Sequence, residues 1–324
     1  VIDDNVAFAY GCYYAAQCAD GSVPGNYFAP NGDYDIYDYR SPDDTRRNQQ
    51  ARAELRGSFE TGSVGHQLSI GADYFRRWHR EKDKSGGLLV HKSTHHFDLL
   101  NWWLDSDPEE VFAYGSLEFY GKNGPFRSKT CRGCPHASKC DFHWDITKNE
   151  HLTKLYVENE QYDGYHRDGC VFREEIDIYD KMAVQIRYKN KVQVSYSLTT
   201  YSPYEGYRIA FNGTEGRLEA WIKESQPWDE KNEDELVLVK NFGERSIITV
   251  PQGGGGHGGG DTRLKDKLFL DPSKPDPWRQ SAGSRDGAMS CLVGIAARNS
   301  IEQGKPIKIQ DLTDIPLAVS GRGA

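Results

Sequence analysis

Two stretches of the chain alternate apolar and polar residues with a period of two, which is the pattern of a half-buried β-strand. In the first stretch, "ARAELRGSFE" and "HQLSIGADYF" flank the turn "TGSVG" and predict a hairpin over residues 51–75. In the second stretch, Met182, Val184, Ile186 and Tyr188 fall on one face, and "VQVSYSL" follows after a short turn. Both stretches therefore predict antiparallel strands joined by tight turns.

Apolar residues at helical spacing predict two main helices, one over residues 92–104 and one over residues 285–303. Shorter alternating runs lie on both sides of "NGTEG" and in "DELVLVKN" and "RSIITVP", and they add further strands. The predicted fold class is α+β, with an open, mainly antiparallel sheet flanked by helices. We expect a β-hairpin-rich segment over residues 1–72 and an α+β domain over residues 73–324, with a cysteine-rich insert at 128–171.

The amino-acid composition limits the kinds of function that we expect for the chain. Of 324 residues, 37% are apolar and 12% are aromatic, and the formal net charge is -8. This acidic balance argues against a general nucleic-acid-binding surface. No apolar run reaches the ~18 residues that a membrane-spanning helix needs. The opening residues "VIDDNVAFAY" show no signal-peptide pattern, and the sequence is compatible with the cytoplasm or the periplasm.

The stretch "GGLLVHKSTHHFDLLNWW" contains three histidines and one aspartate within eight residues. On one continuous helix, His91 and His95 would share a face, and Asp98 would lie one turn further on. Imidazole titrates near neutral pH, so such a face suits general acid–base catalysis on a hydroxyl or carbonyl group. Two histidines four residues apart can also bind a metal. The alternative is that these are polar and capping residues at the start of a helix.

From "ADYFRRWHREK" onward, the chain resembles the carboxy-terminal domain of the Gfo/Idh/MocA oxidoreductases. The similarity continues through "CRGCPHASKC", "GGGGHGGGDTRL" and "SRDGAMSCLVGIAARNS". The family typically carries G-G-x-x-x-D-x-G-x-H-x-x-D at the histidine stretch. Gly87 matches the second glycine, His95 the catalytic histidine and Asp98 the last aspartate, whereas His91 replaces the usual aspartate. The resemblance implies that His95 is the acid–base catalyst, that His91 orients it or the substrate, and that Asp98 holds the imidazole.

The resemblance also implies an NAD- or NADP-dependent oxidoreductase that oxidises a hydroxyl of a sugar, polyol or glycoside. It implies a homo-oligomer that forms through the open face of the sheet. Members of this family begin with a Rossmann domain, whose G-x-G-x-x-G turn binds the dinucleotide. We find neither that turn nor the family's Glu-Lys-Pro stretch, which supplies a catalytic lysine, before residue 71. This chain by itself is therefore expected to have no appreciable dehydrogenase activity.

The glycine-rich segment "GGGGHGGGD", residues 253–261, follows a predicted strand, but no helix returning to a parallel strand comes after it. We therefore do not assign it to a dinucleotide. It reads as a flexible loop. The resemblance places it near the sugar pocket, with His257 and Asp261 as candidate substrate contacts, where its glycines would let it cover a ligand.

Four cysteines, Cys131, Cys134, Cys140 and Cys170, form a C-x2-C-x5-C pattern followed by a distant fourth member. The surrounding segment has few aliphatic residues and no clear period, so we expect a cross-link or a metal to order it. A structural zinc would bring the four sulfurs around one centre. Disulfides in an oxidising compartment, or reduced and partly buried thiols, are the other interpretations. The first two predict that the four cysteines converge in space.

The first 75 residues also resemble part of the barrel of a TonB-dependent siderophore receptor. This resemblance rests on a loop with the cysteine pair Cys12 and Cys18, the segment "DYRSPDDTRRNQQ" and the hairpin that follows. "GADYFRR" belongs to both resemblances and suggests a chimeric junction near Gly71. The alternative function is a fragment of an outer-membrane receptor, which would bring a membrane partner, but a few strands cannot close a barrel.

Overall fold

In the computed structural model, residues 80–320 are described throughout, and four strands are described before them. The chain divides into two compact units, one made of residues 1–79 and 154–167 and the other of residues 80–153 and 168–324. The four early strands are β1 (Ala7–Tyr10), β2 (Asp35–Asp38), β3 (Arg52–Thr61) and β4 (Val64–Asp73).

The predicted hairpin in the first unit is confirmed. Strands β3 and β4 pair antiparallel from Arg52 opposite Asp73 to Thr61 opposite Val64. Strands β1 and β2 form a second antiparallel pair. The rest of the receptor-like segment, including Cys12 and Cys18, lies outside the described residues.

The second unit contains two four-stranded antiparallel sheets, where the sequence predicted one open sheet. The first sheet has the strand order β12-β5-β6-β7, and the second has the order β11-β10-β9-β8. The strands of the first sheet are β5 (Pro108–Ser116), β6 (Lys181–Tyr188), β7 (Gln193–Thr199) and β12 (Ile307–Lys308). Those of the second are β8 (Glu205–Asn212), β9 (Gly216–Ser225), β10 (Glu233–Lys240) and β11 (Arg245–Pro251).

The alternation predicted for β6 is confirmed, because Met182, Val184, Ile186 and Tyr188 are all buried while the residues between them are exposed. Their side chains belong to a core that also includes residues of three helices. Within residues 80–320 the α-helices are α1 (Lys82–Ser85), α2 (Leu88–His91), α3 (Thr94–Leu104), α4 (Glu150–Leu155), α5 (Glu160–Asp163), α6 (Gly260–Lys265) and α7 (Ser284–Gln303).

Helices α2, α3 and α7 cover the first sheet. The closest approach is between α2 and α7 at Gly294, where an added Cβ atom would lie 2.2 Å from the carbonyl oxygen of Leu89. Helix α7 is also tied to the sheet by Ser300, whose hydroxyl accepts from the backbone N–H of Ala113 at 2.9 Å and donates to the carbonyl of Lys305 at 2.7 Å. The backbones of α2 and α7 therefore pack without an intervening side chain, which fixes the start of the histidine stretch.

Among the residues that the structure describes, no helix combines the length and the apolar character needed to span a bilayer.

Candidate functional site

The histidine stretch forms two short helices, whereas the argument from the sequence assumed one continuous helix. Helix α2 ends at His91 and α3 begins at Thr94. The N–H of His95 donates to the carbonyl of Lys92 at 3.2 Å, three residues back, so the hydrogen-bond register shifts at this point. The shared-face argument for His91 and His95 assumed a continuous helix, whereas the backbone leaves the helical conformation at Lys92; the pairing of the two histidines stays a prediction. Gly87, with φ of 78°, starts α2 in a conformation that favours glycine.

Each of the three residues predicted to be catalytic lies in a different environment. His91 is half-buried at the last position of α2, whereas His95 is exposed in the first turn of α3. Asp98, one turn further along α3, lines a small gap beside Met289 of α7 and the carboxylate of Asp286. The roles that the resemblance assigns to these three residues stay predictions.

The sequence analysis did not assign a role to His96, whose side chain contacts both sheets. Its Nδ1 atom lies 3.0 Å from the hydroxyl of Tyr196 on β7, and that hydroxyl donates to Oγ of Ser93 at 3.1 Å. Ser93 is buried between α2 and α3. The three polar groups form a chain that runs from the start of α3 to the first sheet.

The second sheet forms the other side of this site. The imidazole ring of His96 lies 5.4 Å from the ring of Tyr207 on β8, measured between centroids. Burial lowers the pKa of His96, the carboxylate of Glu224 opposes that effect, and His95 adds to it. Burial, with smaller contributions from Glu224 and Asp234, raises the pKa of the Tyr207 hydroxyl. The site therefore holds a neutral imidazole and a neutral phenol on one side of the exposed His95.

One sequence signal could have pointed to Tyr196. It alternates with Val194 and Leu198 on the half-buried face of β7, where a phenol needs a polar partner for its hydroxyl. The partner itself, His96, was hidden by the assumption of one continuous helix, on which His91 and His95 were the obvious pair.

The glycine-rich loop carries a separate polar pair. His257 Nδ1 and the carboxylate of Asp261 lie 2.7 Å apart, and both side chains are exposed. The hydrogen bond joins two members of the same loop. The predicted substrate-contact role of His257 and Asp261 stays a prediction.

In the cysteine-rich insert, the segments that carry the first and the last of the four cysteines, Cys131 and Cys170, are hydrogen-bonded to each other. The N–H of Cys131 donates to the carbonyl of Asp168 at 2.8 Å, and that of Cys170 donates to the carbonyl of Lys129 at 3.3 Å. Burial raises the pKa of the Cys131 thiol, and the neighbouring thiols of Cys170 and Cys140 contribute to the rise. Yet Cys131, Cys134, Cys140 and Cys170 are all free thiols. Within the described residues, no three metal-binding side chains form a group that could hold an ion.

The zinc and disulfide predictions therefore find no support in the structure, and packing explains why the insert needs neither. Phe142 and Phe172 lie against Phe119 and Tyr120 with ring centroids 5.6 to 6.4 Å apart, in a cluster that replaces aliphatic packing. The sequence argument counted aliphatic residues and overlooked these rings.

A buried ion pair completes this packing. The carboxylate of Asp168, which is shielded from solvent, accepts from Arg132 through the backbone N–H at 3.0 Å, Nε at 2.9 Å and Nη2 at 3.0 Å. Burial raises the pKa of Asp168, but these hydrogen bonds outweigh it, and the net pKa is lowered.

The described residues do not fit a nicotinamide dinucleotide. A Rossmann site needs a glycine-rich turn between a strand and a helix that leads back to a parallel strand. Here the glycine-rich loop leads from β11 to the six-residue helix α6, and every strand pair in the described part of the chain is antiparallel.

Comparison with known proteins gives matches over most of the second unit. The model of the oxidoreductase family C-terminal alpha/beta domain (GFO_IDH_MocA_C) matches residues 66–309. The Bacillus subtilis protein YteT, which is named as an oxidoreductase, is 39% identical over 280 residues, which is 78% of this chain and 64% of YteT. The chain thus spans less than two thirds of this relative. The match begins at residue 66, within β4, and these comparisons give the receptor-fragment alternative no support.

Solved structures show weaker likeness. The oxidoreductase domain protein of Kribbella flavida matches with a TM-score of 0.44 and 14% identity, over 72% of this chain and 54% of that one. The aldose-aldose oxidoreductase of Caulobacter crescentus, complexed with glycerol, matches with a TM-score of 0.41 and 10% identity, over 71% and 50% of the two chains. These values carry no functional argument. The family match over residues 66–309 does, and by it the chain belongs to the Gfo/Idh/MocA oxidoreductase family through its C-terminal α/β domain.

Proposed function

We propose that this chain supplies the substrate-binding and proton-transferring part of an oxidoreductase that acts on a hydroxyl group of a sugar, polyol or glycoside. The observation that carries the proposal is the pair of adjacent imidazoles on α3. His95 is exposed to a ligand, and His96 beside it is held by Tyr196 and Ser93. An exposed imidazole can take up and release the proton of a substrate hydroxyl.

Membership of the family supports the choice of reaction class. The nicotinamide, NAD or NADP, would accept the hydride, and it would be held by residues other than those described. The chain's own contribution is to bind the polyol and to move its hydroxyl proton at His95 Nε2 or Nδ1. His91 and Asp98 would orient this imidazole or the substrate, as the family resemblance implies.

Binding of simple polyols to the isolated chain tests this proposal. We expect glycerol, D-glucose or myo-inositol to shift the ring signals of His95 in NMR spectra of the 15N-histidine-labelled chain. His95→Gln should weaken binding, and the exposed His143→Gln, in the cysteine-rich insert, is the matched control. Absence of a response at His95 to every polyol would refute the proposal. Calorimetry with NADH should show no tight binding to this chain.

We also propose that the outward face of the second sheet binds a second copy of the chain. Trp221, Val239 and Ile247 share that face and are each more than a third exposed. On the same face Arg217, opposite Val239, forms an ion pair with Glu219, opposite Val237, so these two charges are already compensated within the sheet and the face can meet an identical partner through its apolar residues.

Light scattering of the purified chain tests whether two copies associate. Ile247→Glu should shift the mass from dimer or higher oligomer toward monomer, whereas Val319→Glu, at an exposed position outside the sheet, should not. A wild-type chain that is monomeric at high concentration would refute the proposed interface.

A further inference from the structure

The second sheet carries a groove of about 610 Å³ on its outward face, over strands β8, β9 and β10. Trp221 of β9 lines it and is 37% exposed. Opposite Trp221 on β8 lies Arg208, whose guanidinium carbon is 4.2 Å from the centroid of the indole ring. On the other side, Leu236 of β10 lies opposite Ala220, and this register places the exposed Glu235 beside Trp221. Across the groove, a cation, an indole and a carboxylate therefore stand in one row.

Most of the other charges that line the groove are compensated within the sheet and its β9–β10 connection. Three ion pairs do this: Arg217 with Glu219, Lys223 with Glu230 and Lys231 with Glu233. Asp234 alternates to the opposite face of β10, where its carboxylate accepts from Nε2 of Gln252 at 3.0 Å. Among the described residues, Arg208 and Glu235 are therefore the outward-facing charges of the groove that no ion pair compensates.

The order of this row decides how two identical faces can meet. Two copies of one surface associate around a two-fold axis, and sheets that pack face to face with aligned strands allow two directions for it. An axis across the strands lays each strand on its own copy, so Arg208 faces Arg208 and Glu235 faces Glu235. An axis parallel to the strands beside Trp221 lays the β8 side of one sheet over the β10 side of the other. Because like charges at an interface repel and opposite charges attract, only the second direction is favourable.

We propose that two copies of the chain associate around an axis parallel to the strands, with Arg208 of each copy paired to Glu235 of the other across the Trp221 rings. The inference rests on the second copy that the proposed function assigns to this face, and it adds the orientation and the paired residues. Arg208 suits this role because the indole ring already holds its guanidinium in place, so little side-chain freedom is lost on pairing.

Two charge reversals test the pairing. Arg208→Glu and Glu235→Arg each bring like charges together twice in a dimer, so either variant alone should self-associate at least about tenfold more weakly than the wild type. In an equimolar mixture of the two variants, both contacts of a heterodimer join opposite charges. The mixture should therefore associate as strongly as the wild type. Sedimentation equilibrium measures the dissociation constants, and native mass spectrometry identifies the heterodimer by its mass.

Two further variants separate the pairing from a general effect of charge. The double variant Arg208→Glu/Glu235→Arg exchanges the two charges, so it should form a homodimer again. Arg263→Glu makes the same change of charge at an exposed position of α6, outside the sheet, and should leave self-association unchanged. Circular dichroism checks that each variant folds, and recovery of association in the mixture shows in addition that both single variants keep a native face.

The outcomes distinguish this inference from the proposal of a second copy. If the wild type self-associates and the single reversals associate equally well, the pairing is wrong, although a second copy can still bind through the apolar residues of the face. If both reversals weaken association but their mixture does not restore it, the orientation is wrong. If the wild type stays monomeric at high concentration, the second copy and this inference fail together.

Discussion

The helix-covered first sheet and the cysteine-rich insert are ordered by different interactions. The sheet buries aliphatic side chains such as Val184 and Val293 against α2, α3 and α7. The part of the insert that lies in the second unit, residues 128–153 and 168–171, depends on aromatic contacts with Phe172 and on the buried pair of Arg132 and Asp168. A segment with few aliphatic residues can therefore still adopt a defined structure, because aromatic side chains and one buried ion pair take the place of aliphatic packing. Such a segment should then respond to charge changes that leave the sheet unaffected.

The largest effect is expected from Asp168→Asn. This change leaves the Arg132 guanidinium without its buried counter-charge, and breaking such a pair costs about 3 kcal/mol. The loss should be local, so hydrogen exchange should quicken at the N–H of Cys131 while the N–H of Ala113 in β5 stays protected. Glu174→Gln is the control, because its ion pair with Arg127 is exposed and should contribute less than about 1 kcal/mol. Equal effects of the two variants would contradict the role of Asp168.

In the helix-covered sheet the corresponding change is Gly294→Ala. Its Cβ atom would meet the carbonyl oxygen of Leu89, a backbone atom that cannot move aside cheaply, and we expect a loss of about 2 kcal/mol in the free energy of unfolding. Gly287→Ala in the same helix is the control. It meets nothing within 4 Å and should stabilise the helix by about 0.5–1 kcal/mol. Urea titration measures both, and a neutral Gly294→Ala would show that α2 and α7 are not in close contact.

Lowering the pH should separate the two regions without mutation. Because the pKa of Asp168 is lowered in the folded chain, its stabilising effect is complete above the ordinary value of 3.8 and is lost as pH falls below it. The backbone N–H of Ala113 donates its hydrogen bond to the hydroxyl of Ser300, which does not titrate in this range. As the pH is lowered from 5 to 3, the N–H of Cys131 should therefore lose its protection from hydrogen exchange before the N–H of Ala113 does. The ordering prediction fails if both amides lose protection together, or if Asp168→Asn shows the same acid response.

The same contrast explains what the sequence could predict. Strand β6 and helix α7 follow from local periodicity, since their buried residues recur at spacings of two and of three to four along the chain. The break after His91 does not follow from that periodicity, because the apolar spacing runs from Leu88 through Leu104 without marking where α2 ends and α3 begins. His96 and Tyr196 are 100 residues apart in the sequence, so no local pattern predicts their contact. The family resemblance supplied His95, but it carried no information on a position where the family pattern specifies no residue.

The smallest expected effect concerns the Cys131 thiol, and it decides between the packed and the metal-bound interpretation of the insert. Burial raises its pKa, with Asp168 and the thiols of Cys170 and Cys140 adding to the rise, although a hydrogen bond from the Trp144 backbone opposes it. A raised pKa lowers the thiolate fraction, and the thiolate is the reactive form, so iodoacetamide at pH 8 should label Cys131 more slowly in the native chain than in urea. Mass spectrometry of the labelled peptides gives both rates.

Added Zn²⁺ sharpens this measurement, because a zinc ligand must be a thiolate and its pKa must fall on binding. In a packed insert, micromolar Zn²⁺ leaves the native labelling rate of Cys131 unchanged, and only Asp168→Asn raises it. If Zn²⁺ instead protects Cys131, Cys134, Cys140 and Cys170 together, with four thiols lost per ion bound, then aromatic packing is not what orders the insert.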